Sequence, residues 1–230
     1  MRIGIKFQRK GMEKYVSHLD MQRLFSRALR RSGLPVKYSS GFNPHINLSF
    51  ASALAVGMES EAEYAEFTLL QSQDTKEVFR ALAGALPEGI GLVACGELPE
   101  GTKKLMAATK SAYYRIIPQK NEEEFARGLQ EIIARDSVAA KKKKEGKIRE
   151  IDIRPHIYQC KVVNHPKICG MIELALSGEA SLSPTLLLQT IEEEQGKPFG
   201  ASICRTEIYT QTEEGKVPLE SLFRNETAER

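Results

Sequence analysis

Arg23, Arg27, Arg30 and Arg31 stand at i, i+4, i+7 and i+8, the spacing that gathers side chains on one face of a helix. Guanidinium groups present their N–H donors in a planar fork, which suits phosphate and carboxylate oxygens. No Asp or Glu lies three or four residues from Arg27, Arg30 or Arg31, so the local pairing that usually quiets such a stripe is missing. Two readings stay open: a solvated face paired through tertiary contacts, with Glu59, Glu61 and Glu63 as candidate partners, or a surface for bound anions. His18 and His45 lie to either side of the stripe. Brought together by the fold, two imidazoles would form an acid/base pair for a phosphodiester or a nucleobase. Kept apart, each would contact a ligand or satisfy a local backbone hydrogen bond.

The loop around His45 runs Ser39-Ser40-Gly41-Phe42-Asn43-Pro44-His45. Ser39, Ser40 and Asn43 offer hydroxyls and an amide for phosphate contacts. Tyr38 and Phe42 are candidates for stacking on unpaired bases, although Phe42 reads slightly better as a core plug. Lys141, Lys142, Lys143 and Lys144 precede Glu145-Gly146-Lys147, the pattern of a hairpin with a basic tip. Such a tip either touches a phosphate backbone or is a solvated edge that lysine protects from aggregation. Cys160, His165 and Cys169 offer three zinc ligands, but no fourth lies at suitable spacing, and neither a metal nor another cofactor is expected.

The surrounding chain has the composition of a soluble globular protein: 230 residues, 41% hydrophobic and 27% charged, long enough for one large or two small domains. No Walker-type loop, GxGxxG, CxxC or CxxxCxxC is present, which argues against the common nucleotide-dependent enzymes, zinc ribbons and a resident radical-enzyme cluster. No apolar run is long enough to span a bilayer, and the charged N-terminus does not read as a secretory signal, so a cytoplasmic location and no membrane contact are expected. The four scattered cysteines fit reduced thiols. Charge is segregated: residues 1–50 hold ten Lys/Arg against two Asp/Glu, and residues 51–100 hold two against nine. A basic block beside an acidic one suggests a polyanion-facing surface.

Periodicity supplies the elements that must position these groups. Residues 2–8 alternate as a half-buried strand. Ser17 and Asp20 form a capping box before a helix whose Met21, Leu24, Phe25, Ala28 and Leu29 face inward, ending at Gly33 and Pro35. Two extended pieces over 36–50, a strand over 63–70, a helix over 75–86 and a strand over 90–95 follow. The element order then repeats: strand 112–118, helix 122–135, paired strands 137–163, strand 171–176, helix 185–193, strand 203–210. This predicts an α+β fold of two ferredoxin-like (βαββαβ) halves in tandem, 1–97 and 111–211, joined by a linker over 98–110 and followed by a loose polar tail over 212–230.

The segments Tyr15-Val16-Ser17-His18-Leu19-Asp20, Arg30-Arg31-Ser32-Gly33-Leu34-Pro35 and Tyr38 to His45, continued by Leu54 to Tyr64, Lys103-Lys104-Leu105-Met106 and Asp152-Ile153-Arg154-Pro155, resemble the radical-SAM-associated domain family of unknown function. Members of that family stand alone or are fused behind B12-binding radical SAM enzymes. The family pattern Pro-His-Pro is broken here by Ile46 after His45. The resemblance implies a radical SAM protein, on a separate chain, as partner. Together with the basic segments it points to RNA binding: Arg23, Arg27, Arg30 and Arg31 on phosphates, Lys141–Lys144 extending the footprint, and the 39–45 loop placing the nucleotide. The alternatives are an enzyme in its own right, a nuclease or transferase using His18 and His45, and an adaptor docking its partner through the acidic segment 59–66.

Overall fold

The alternating opening segment folds as β1 (Arg2–Arg9), the first element of a computed structural model that describes residues 1–144, 147–164 and 166–224, with only the backbone described for Lys143, Lys144 and Lys147. The chain divides into two units, Met1–Thr109 with Ile208–Arg230, and Lys110–Glu207. In the first, β1 is followed by α1 (His18–Arg31), β2 (Leu48–Phe50), β3 (Glu59–Thr68), α2 (Thr75–Ala83) and β4 (Ile90–Glu97). The strands pair antiparallel in the order β4-β1-β3-β2. Ile3, Ile5 and Phe7, alternate residues of β1, meet Phe25 and Leu29 of α1 and Val78 and Leu82 of α2 in one buried cluster. The period of two along the strand and of 3.6 along the helices makes that cluster continuous.

The second unit repeats the alternation with an insertion. It carries β5 (Thr109–Ile117), α4 (Glu122–Ala134), the hairpin β6 (Ala139–Lys144) with β7 (Lys147–Asp152), then β8 (Ile157–Val163), β9 (Cys169–Ala175), α5 (Pro184–Gln195) and β10 (Ser202–Thr212). The order is β10-β5-β9-β8, the first half of β10 lying beside β5. Helices α4 and α5 approach so closely at Gly128 that a Cβ there would stand 2.2 Å from Ile191 Cγ2. The Asp152-Ile153-Arg154-Pro155 motif ties the hairpin base to α4. Asp152 accepts the N–H groups of Val138 (2.8 Å) and Arg154 (3.0 Å), which hold its carboxyl below the usual range. Arg154 donates to the carbonyls of Ile133, Arg135 and Ile157, and Ile153 is buried between them in sequence. The motif is a structural clamp.

The fold is thus α+β. Two expectations are corrected. The segment after 97 is no bare linker: Leu98 is buried, and α3 (Leu105–Ala108) buries Leu105 in the first unit. The residues after 211 are no loose tail through 224. β11 (Gly215–Pro218) pairs with the end of β10, a 3-10 turn buries Leu219, Glu220 pairs with Lys6 at 3.1 Å, and Phe223 packs edge-on against Tyr64. Gly4 permits that last contact, since a Cβ on it would lie 2.3 Å from the Phe223 ring. Gly4→Ala should therefore cost about 1–3 kcal/mol, as overpacking does. Urea unfolding checks this; an unchanged midpoint would mean that Phe223 is not needed where it sits. Among the described residues no helix is long and apolar enough to cross a membrane.

Candidate anion-binding groove

Helix α1 begins as its capping box dictates. Ser17 Oγ accepts the N–H of Asp20 (3.2 Å) and donates to its Oδ2 (2.7 Å). The hydroxyl, and next the Arg23 guanidinium, hold the Asp20 carboxyl below its ordinary range. The chain enters through a 3-10 turn, Gly11–Tyr15, which the buried Arg9 pins by donating to the carbonyls of Glu13 (2.8 Å), Lys14 (2.5 Å) and Val16 (2.7 Å). Sequence reasoning missed Arg9, although the period of two that turns Ile3, Ile5 and Phe7 inward continues to it; its carbonyl partners come together only in the folded turn. With Met21, Phe25, Ala28 and Leu29 buried, the opposite face of α1 presents all four arginines to solvent.

Arg23, Arg27 and Arg30 of α1 line a groove of about 680 Å³, and His45, Ile46 and Leu48 line it from the segment that leads into β2. Arg23 is paired with Asp20 at 2.9 Å, but both side chains are more than half exposed, so the pair is weak and exchangeable. Arg27 and Arg30 make no hydrogen bond or ion pair among the described residues. The acidic segment does not quench them: Glu59 faces Lys14 at 3.8 Å and accepts the N–H of Gly11, while Glu63 is buried on β3. Arg31 departs from the stripe. Its Nη2 donates to the Ala85 carbonyl at 2.6 Å, and it lines not this groove but a second one of about 400 Å³ beside Pro87, which Asp20, Arg23 and Arg27 also line.

The His45 loop is closed by reciprocal bonds. Ser39 N–H donates to the His45 carbonyl (2.7 Å), His45 N–H donates to Ser39 Oγ (3.1 Å), and that oxygen lies 2.9 Å from His45 Nδ1. The imidazole is fixed through Nδ1, which leaves Nε2 for a ligand. Ser40 and Asn43 are exposed at the tip. Phe42 is no core plug: it is fully exposed, and Tyr38 is 41% exposed. The tip lies beyond the Ser39–His45 closure, and the buried apolar residue of this segment is Ile46. The groove takes in His45 but not His18, whose ring packs edge-on against Phe50 at 5.5 Å with its Nε2 3.1 Å from Gln22.

Lys141 and Lys142 are exposed on β6 of the second unit, opposite Glu150 and Arg149; the side chains of Lys143 and Lys144 lie outside the described residues. His165 lies outside them too, and among them no group of three His, Cys, Asp or Glu gathers as a metal ion would need. The four cysteines are unbridged; burial pushes the Cys95 thiol up to about 12 and Cys160 to about 11, away from nucleophilic thiolates.

No curated protein matches the chain. A family of uncharacterized proteins conserved in bacteria does, over residues 2–189, a stretch that holds the arginine helix, the His45 loop and most of the second unit; the chain belongs to this family, DUF2344.

Proposed function

We propose that the chain binds single-stranded RNA and presents it to a radical SAM enzyme on a separate chain, which performs the chemistry. The RNA half of this reading is carried by one observation: Arg27 and Arg30, which make no hydrogen bond or ion pair among the described residues, line a groove together with His45, whose loop also bears the fully exposed Phe42. Clustered guanidinium groups bind phosphates, and an exposed ring stacks on any unpaired base; single-stranded nucleic acid offers both together. Like charges at i, i+3 and i, i+4 weaken a helix by about 0.2–0.5 kcal/mol per pair, so the stripe is a cost to α1 that a bound polyanion offsets. The partner half rests on the sequence resemblance. The same reading takes each unit as one ferredoxin-like half, supported by the strand orders β4-β1-β3-β2 and β10-β5-β9-β8, with the β6–β7 hairpin as an insertion in the second.

Phe42→Ala separates stacking from charge. Loss of one stacked base should weaken binding of a uridine nonamer by about 1–3 kcal/mol, measured by fluorescence anisotropy. Because the ring contacts solvent, the melting temperature should not move. Unchanged affinity would remove the loop from the interface.

A further inference from the structure

Beside the groove lies a smaller cavity of about 310 Å³, and the two share His45, Ile46 and Leu48. The groove side faces α1. The cavity is lined instead by Arg2, Ser49, Glu66 and Lys104, and Glu66 points to the sheet face opposite Phe67, whose side chain belongs to the core beneath α1. A polyanion lying in the groove therefore needs only to turn over the 45–48 segment to place one unit in the cavity.

The cavity is polar and prearranged. The Glu66 side chain is 7% exposed and held between two donors, the Arg2 guanidinium on Oε2 and the Ser49 hydroxyl on Oε1 at 3.2 Å. Arg2 also donates to the carbonyls of Thr102 (2.6 Å) and Lys103 (3.4 Å), which holds the following residue, Lys104, at the cavity wall, while Leu105 anchors the segment from below. Each carboxylate oxygen carries two acceptor sites and spends one, so Glu66 keeps two acceptors side by side. Lys104 and Asn47 add donors.

We propose that this cavity is a guanine subsite of the RNA interface. The inference rests on the RNA-binding reading and extends it from phosphates to a base. Guanine alone among the four bases offers two adjacent donors, N1–H and the N2 amine, on its pairing edge, with O6 beside them as an acceptor for Lys104 or Asn47. Adenine, cytosine and uracil each set an acceptor next to their single donor group, and an acceptor facing a buried carboxylate is repelled. Selection is therefore by an unfavourable contact as well as a favourable one.

The test is anisotropy titration of three labelled nonamers, all-uridine, one with a central guanosine and one with a central adenosine, against the wild type, Glu66→Gln, Lys104→Ala and Arg27→Ala. The wild type should bind the guanosine nonamer roughly tenfold or more tightly than the other two, within the range of one bidentate base contact. Glu66→Gln should abolish that preference and leave all-uridine binding unchanged. Should Glu66→Gln fail to fold, Lys104→Ala, an exposed position, should still lower the preference several-fold. Equal wild-type affinity for all three nonamers, with Arg27→Ala weakening each, overturns the guanine subsite and leaves the groove standing. A preference that survives in folded Glu66→Gln overturns it as well. Absence of binding to any nonamer overturns the groove and the subsite together.

Discussion

Replacing Arg27 and Arg30 together by alanine will flatten the salt dependence of single-stranded RNA binding by about 1.4 log units per log unit of salt, at about 0.7 per lost phosphate contact. Extrapolated from 1 M salt, that slope change corresponds to a loss of roughly 25-fold at 0.1 M. Two features make these residues the decisive pair. They line the groove together with His45, and neither makes a hydrogen bond or ion pair among the described residues that would compete with a phosphate. Arg23 must first leave Asp20, and Arg31 is bonded to the Ala85 carbonyl, so each single alanine there should do less. The double variant should fold as well as the wild type, because it relieves like-charge neighbours on α1. An anisotropy series between 0.05 and 0.3 M salt reads the slope directly. An unchanged slope would assign the stripe to a protein partner and favour the adaptor reading.

Phe25→Ala should cost about 3–5 kcal/mol, the range for removing a buried aromatic ring from a packed core. Its ring lies 4.6 Å from Phe7 and 5.4 Å from Phe50, so the three rings join β1, α1 and β2 at the point where the groove is assembled. Phe50 in turn carries the His18 ring. Loss of Phe25 therefore acts twice, opening a cavity in the first unit and loosening the arginine helix from the strand that follows the His45 loop. Urea unfolding gives the first effect, and RNA affinity well below the midpoint gives the second. A cost under about 1 kcal/mol would mean that the site collapses around the missing ring and that the aromatic cluster does not fix α1.

Much of this arrangement is legible in the residues because two periodicities carry it. Ile3, Ile5 and Phe7 alternate, Met21, Phe25, Ala28 and Leu29 recur at helical spacing, and both sets are buried as that spacing requires. The capping box at Ser17 and the exposed arginine face follow from the same pattern. Strand β3 is less legible in the sequence. It starts at Glu59, four residues before the expected Glu63, because Glu59, Ser60 and Glu61 show no apolar alternation, although Ser60 is buried. The packed segment after 211 is hidden for a related reason: Leu219 and Phe223 are isolated apolar residues in a polar stretch, and only their tertiary neighbours give them meaning. At the site, spacing identifies the stripe but not its charge balance. Whether Glu59 meets an arginine or Lys14 is decided by β3 register and the turn that Arg9 pins, both non-local. Phe42 shows the same limit. An aromatic residue in a loop has no period to place it, and its exposure follows from the Ser39–His45 closure on either side.

The central claim is that RNA lies between the arginine face of α1 and the 39–45 loop. Photo-crosslinking with a 4-thiouridine nonamer, followed by tryptic digestion and mass spectrometry, addresses it residue by residue. Trypsin finds no Lys or Arg between Lys37 and Lys76, so one peptide, residues 38–76, carries Tyr38, Phe42 and His45 together. Crosslinks to Tyr38, Phe42 or His45 in that peptide, suppressed by Arg27→Ala/Arg30→Ala, are the predicted result. Crosslinks confined to the hairpin over residues 139–152, or none in residues 38–76, would contradict the account.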